Sequence, residues 1–157
     1  MGQIVYLSKE RLHELEKELK ELKTNGRKHM AERIAEARAH GDLSENAEYD
    51  AAKDEQGLLE LKISKLEEML SNARIVNIND FPKETVHILS EITVKNLKVN
   101  KTYNYTLVSP EEADLKQGKI SITSPVGKAF MGKKEGEIVE ASVPAGLIKF
   151  EIVSINK

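Results

Sequence analysis

The chain has no cysteine and no tryptophan, and its aromatic content is limited to 3 Phe and 4 Tyr. Without cysteine there is no disulfide framework, no thiolate nucleophile and no zinc–thiolate site. With so few aromatics, a ligand pocket walled by rings is not expected, and the rings present are better spent in core packing. Long hydrophobic runs are also lacking: nowhere do the ~18 consecutive apolar residues of a membrane span occur. Residues 1–15 show no basic segment followed by an apolar one, so neither a secretion signal nor a membrane partner is expected and the cytoplasm is the expected location. Charge of one sign is missing too. With 24 Lys and Arg against 26 Asp and Glu, the net charge is -2, too little positive charge to hold nucleic acid by bulk attraction.

What is present divides in two. Residues 1–77 are a weave of Glu, Lys, Leu and Ala, whereas residues 78–157 hold all 4 prolines, five of the aromatics and most of the Val, Ile and Thr. The shift predicts two domains with a boundary at 77/78.

In the first, Ser8 is a suitable N-cap, and Leu12, Leu15, Leu19 and Leu22 step by three, four and three along a coiled-coil seam. After Thr24-Asn25-Gly26 the stripe resumes at Met30, Ile34 and Ala37, out of the first register, which predicts a bent or locally rewound helix. A second seam runs through Tyr49, Ala52, Gln56, Leu59, Ile63, Leu66 and Leu70. Two seams of similar length joined near residues 41–44 predict an antiparallel helical hairpin, whose first arm, residues 8–40, would reach roughly 50 Å at ~1.5 Å per residue. Near the turn the seams change from Leu to Ala, so the end should be narrow.

In the second, alternation predicts strands at 91–98, 103–108, 119–123, 136–143 and 147–155, with turns at Asn100-Lys101 and Pro144-Ala145-Gly146. Ser124 and Pro125 open a short helix ending at Gly132. The class is α+β: a helical hairpin, then a small antiparallel sheet covered by one short helix.

The hairpin's end reads GDLSENAEYD. Gly41 suits a helix C-terminus, and Asp or Ser with Glu three residues on suits the next N-cap, so a tight helix turn accounts for much of it. Charge points further. Across 41–55 stand Asp42, Glu45, Glu48, Asp50, Asp54 and Glu55 against Lys53, net -5, while 24–40 carry Arg27, Lys28, Arg33 and Arg38 against Glu32 and Glu36, net +2. Carboxylates are hard ligands for Mg²⁺, which is commonly held by one or two of them plus phosphate and water. Asp42 and Glu45 are too few for a complete site, so the remaining ligands would come from a partner. Such a shared ion could serve as the second metal of a two-metal hydrolysis.

Two long stretches, EARAHGDLSENAEYDAAKDEQG and ISITSPVGKAFMGKKEGEIVEASVPAG, closely resemble the bacterial Gre transcript-cleavage factors, and more closely their GreA branch. The resemblance spans essentially the whole chain. It implies an N-terminal antiparallel coiled coil and an FKBP-like C-terminal domain. It also implies a bacterial RNA polymerase partner, whose secondary channel the coiled coil enters while the globular domain docks at the rim. Asp42 and Glu45 match the family's acidic pair, which holds a second Mg²⁺ jointly with polymerase and stimulates its cleavage of backtracked RNA. No tightly bound metal is expected on the free protein, which should be a monomer and not itself an enzyme. Gly41, Leu43, Asn46, Glu48, Tyr49 and Asp50 fall at tip-supporting positions, Arg38 and Lys53 near the nascent RNA 3′ end, and Ser124, Pro125, Gly132 and Lys133 at the docking elements. Lys53 stands where the family often has Arg. Relatives that inhibit polymerase also carry acidic tips, so channel binding without cleavage is the alternative.

Two other readings carry less. The four histidines lack ligand spacing, and Gly127, Gly132 and Gly136 do not have the spacing of a phosphate loop.

Overall fold

The structure, a computed structural model, describes residues 4–41 and 46–156. It divides into two compact units, residues 10–72 and residues 4–9 with 73–157. The division falls at Asn72/Ala73, a little before the compositional shift, and the segment ahead of the first helix belongs to the second unit.

The first unit is a helical hairpin. Helix α1 (Lys9–Glu21) runs through a π-helical turn (Leu22–Gly26) into α2 (Arg27–Arg38), and α3 (Ala47–Ser71) returns. Every seam position is at least half-buried, with Leu15, Met30, Ala37, Ala52, Ile63 and Leu66 fully so. The expected rewinding is the π turn, in which the Arg27 N–H reaches back five residues to the Leu22 carbonyl. Its cause lies in the spacing. Leu22 to Met30 is eight residues where a heptad allows about seven, and a π turn winds in the one residue too many, keeping both apolar stripes on one face. Gly26 sits within that turn, where a Cβ would stand 3.4 Å from Leu59 of the opposite arm.

Polar pairs line the seam's edges in antiparallel order: His40 with Glu48, Arg33 with Glu55, Arg27 with Glu60 and Lys23 with Glu67. Partner numbers rise on one arm as they fall on the other. The Arg27–Glu60 pair is bidentate, with Nε and Nη2 donating at 3.0 and 2.9 Å. These bonds hold the Glu60 carboxyl below its ordinary pKa and the Arg27 guanidinium above its own.

The second unit is built on a five-stranded sheet. Its strands are β3 (Glu91–Asn96), β4 (Lys101–Val108), β5 (Lys119–Ser121), β6 (Ile138–Val143) and β7 (Gly146–Asn156), ordered β5-β4-β3-β7-β6. Asn100, at φ 59°, ends the β3–β4 turn, and Pro144-Ala145 form the two-residue loop between Val143 and Gly146. The sheet is mixed rather than wholly antiparallel, because β4 and β5 pair in parallel. The chain leaves β4 through short turns at Pro110–Glu112 and Leu115–Gln117 and re-enters alongside it, a crossover in place of a hairpin. At Gly118, which closes that crossover at φ 72°, a Cβ would lie 2.7 Å from the Asn104 carbonyl oxygen.

Two further strands, β1 (Val5–Leu7) and β2 (Ala73–Ile75), pair in parallel as a separate two-stranded sheet. Three-residue strands show no period to read. Helix α4 (Pro125–Phe130) covers the larger sheet, and Phe130 meets Phe150 edge-on at 5.3 Å within a core that includes Val94, Leu107 and Ile152. No helix among the described residues is long and apolar enough to cross a membrane.

Candidate functional site

The end of the first arm is closed by its own backbone. The Gly41 N–H donates to the Arg38 carbonyl at 3.2 Å, and Gly41 has φ +107°, a conformation that favours glycine. The second arm begins at Asn46, whose backbone is extended (φ -92°, ψ 99°) and whose Oδ1 accepts from the Tyr49 N–H at 3.1 Å. Asn46 is therefore the N-cap of α3. The expectation that Asp or Ser of the GDLS stretch caps the helix is corrected by that bond. Asn caps as well as Asp does, and Asn46 is the residue immediately before the helical run, which is the signal that could have identified it.

The same side chain faces the other arm. Asn46 Nδ2 donates to the Ala37 carbonyl at 2.7 Å, joining the last turn of α2 to the first turn of α3. Near the tip the seam positions Ala37 and Ala52 are buried, at 3% and 1% exposure. Two weaker contacts flank the Asn46–Ala37 bond. The Arg38 guanidinium lies over the Tyr49 ring at 5.9 Å, and His40 Nε2 stands 3.1 Å from Glu48 Oε2 with both side chains largely exposed.

Asp42, Leu43 and Glu45 lie outside the described residues. Of the other predicted tip residues, Asn46, Glu48 and Tyr49 each contact the end of the first arm, at Ala37, His40 and Arg38; Gly41 ends that arm, and Asp50 is exposed on the first turn of α3. Arg38 packs on Tyr49, whereas Lys53 Nζ donates to Gln56 Oε1 at 3.0 Å one turn further along α3. Arg33 of the first arm offsets the charge of Glu55, and His40 faces Glu48. Among the described residues no group of three or more His, Asp or Glu is arranged to hold a metal ion.

The candidate docking residues of the second unit each have a local structural role. Ser124 Oγ accepts from the Gly127 N–H and donates to the Ser121 carbonyl, and Pro125 follows as the first helical residue. Gly132, at φ 78°, donates its N–H to Val86, and the Lys133 carbonyl accepts from the Val86 N–H. The helix ends at Phe130, short of Gly132. Four of the aromatics belong to the core or pack against it: Phe130 and Phe150 are buried, and Tyr105, stacked on Tyr103, has its hydroxyl pKa raised by burial and by its neighbour.

Family models match both units. Residues 5–75 fit the model described as transcription elongation factor, N-terminal, and residues 81–157 the one described as transcription elongation factor, GreA/GreB, C-term. A protein of Amoebophilus asiaticus named Transcription elongation factor GreA is 52% identical over 156 residues, 99% of each chain. A protein of the same name from Flavobacterium johnsoniae is 48% identical over 157 residues, 100% of this chain and 99% of its own. Among solved structures, the GreA factor homolog 1 (Gfh1) of Thermus thermophilus is 26% identical and covers 99% of this chain and 100% of its own, with a TM-score of 0.46.

Proposed function

The chain belongs to the GreA/GreB family of transcription elongation factors, and we propose that it stimulates the cleavage of backtracked nascent RNA by bacterial RNA polymerase, entering the secondary channel with the hairpin tip foremost. In this reading Asp42 and Glu45 hold a Mg²⁺ ion jointly with polymerase. When bound, that ion supplies a second Lewis acid and an activated water for phosphodiester hydrolysis.

The donor set fits this role. Two carboxylates suit Mg²⁺ in kind and are too few to retain it alone, which agrees with an ion whose other ligands belong to polymerase and RNA. The observation that carries the reading is the cap at Asn46: α3 takes its N-cap from that residue, so capping of the second arm does not account for the acids at 42 and 45. The remaining tip groups act on geometry and field. Asp50 adds negative charge to the first turn of the second arm, Arg38 and Lys53 attract RNA phosphates, and small seam residues such as Ala37 and Ala52 suit an end that enters a channel.

The test is a stalled, backtracked polymerase complex with end-labelled RNA and Mg²⁺. Shortening of the transcript on addition of the protein is expected, with loss of shortening but not of polymerase binding in Asp42→Asn and Glu45→Gln. Binding by the unmutated protein without shortening would leave channel occupancy alone as its action.

A further inference from the structure

We propose that Asn46 is a positioning residue for cleavage stimulation, a two-sided clasp that fixes the points between which the segment bearing Asp42 and Glu45 must run. The inference rests on the cleavage reading above. Its basis is the division of labour within one side chain. Oδ1 accepts from the Tyr49 N–H and so starts α3, which is all an N-cap requires. Nδ2 does something a cap does not need: it donates 2.7 Å across to the Ala37 carbonyl of the other arm. Ala37 lies in the last turn of α2, and its carbonyl already accepts from the His40 N–H at 3.2 Å. The bond is thus not required to complete either helix. What it adds is a directional tie between them, close to Ala37, where the buried side chain is only a methyl group.

The neighbouring cross-arm contacts cannot substitute. His40 and Glu48 have side chains 58% and 70% exposed, a setting in which ion pairs are worth little. Arg38 over Tyr49 is attractive without fixing direction. Asn46, half-buried and bonded on both sides, is the directional contact. An ion shared by two proteins demands that both carboxylates be held in register with the partner's ligands, and a misplacement of about 1 Å can cost about a hundredfold in rate.

The two bonds can be separated. Asn46→Ser keeps a good N-cap without reaching Ala37, and Asn46→Asp keeps the reach and the acceptor but has no N–H to donate. In the full-length protein on the backtracked complex, both variants are expected to retain exchange protection of the Tyr49 amide. Their half-saturating concentration should stay within about threefold of native, while the cleavage rate at saturation falls by about tenfold or more, on the scale of such misplacements. A saturated rate within about twofold of native in both variants overturns the positioning role alone. A raised half-saturating concentration with an intact saturated rate makes the clasp a binding feature and likewise overturns it. No shortening by the unmutated protein overturns the cleavage reading, and the positioning role with it.

Discussion

Glycine is used in opposite ways in the two units. In α3, Gly57 sits exposed in the middle of a helix, and a Cβ added there meets nothing within 4 Å. In α4, Gly127 is buried, and a Cβ would lie 2.0 Å from the Ser121 carbonyl oxygen. The hairpin is held by one apolar stripe and a row of surface pairs, so most of its side chains have room. The sheet unit is held by a three-dimensional core around Phe130, Leu107 and Ile152, where space is already assigned. The hairpin should therefore tolerate substitution away from its seam, and the sheet unit should not.

The sharpest way to break that contrast is Phe130→Ala. Removal of a fully buried ring should cost the sheet unit about 3–5 kcal/mol while leaving the helical signal of the hairpin largely intact, measured by paired near- and far-ultraviolet circular dichroism melts. Loss of both signals together would mean that the two units do not unfold separately. Gly127→Ala comes next. It must push the Ser121 backbone aside or move α4, and it should destabilise the same transition by about 1–3 kcal/mol or more. Gly57→Ala should do the reverse, stabilising the hairpin by up to about 1 kcal/mol through helix propensity, read as a rise in its melting midpoint. A destabilised Gly57→Ala hairpin would contradict the open space seen there.

The smallest effect is electrostatic. Glu60 has its carboxyl pKa depressed by the bond from Arg27, so the folded state binds fewer protons than the unfolded one in that range. The pair's contribution is present above the ordinary glutamate value and is lost as pH falls through the depressed one. Acid titration of hairpin helicity should therefore be steeper in the native protein than in Glu60→Gln, and the difference should shrink in high salt, because both groups are exposed.

The legibility of the sequence follows the same division. The seams were readable because a period of 3.5 repeats over many turns: every position from Leu12 to Leu70 assigned to them is at least half-buried. The misfit between Leu22 and Met30 foretold a rewound turn, although periodicity could not say that it would be a π turn. Strands β3 to β7 were readable from alternation and turn residues. The parallel β4–β5 pair was not, since strand direction is set by where the crossover lands rather than by the strands' own residues. Strands β1 and β2 were too short to show a pattern.

At the tip, composition located the acids and the turn, and Gly41 has the positive φ that a glycine there favours. The cap was misread. Asp, Ser and Asn are near-equal caps, and only the position of the first helical turn selects Asn46 among them. The bond from Asn46 to Ala37 had no sequence signal, because it joins two arms whose relative register is set by packing along their whole length.

In the proposed function this protein acts through the carboxylates of Asp42 and Glu45. The most direct measurement is transcript length in a stalled, backtracked RNA polymerase complex in the presence of Mg²⁺. Rapid shortening is expected with the native protein, and no acceleration over polymerase alone with Asp42→Asn/Glu45→Gln bound to the same extent. Undiminished shortening by that double variant would contradict it.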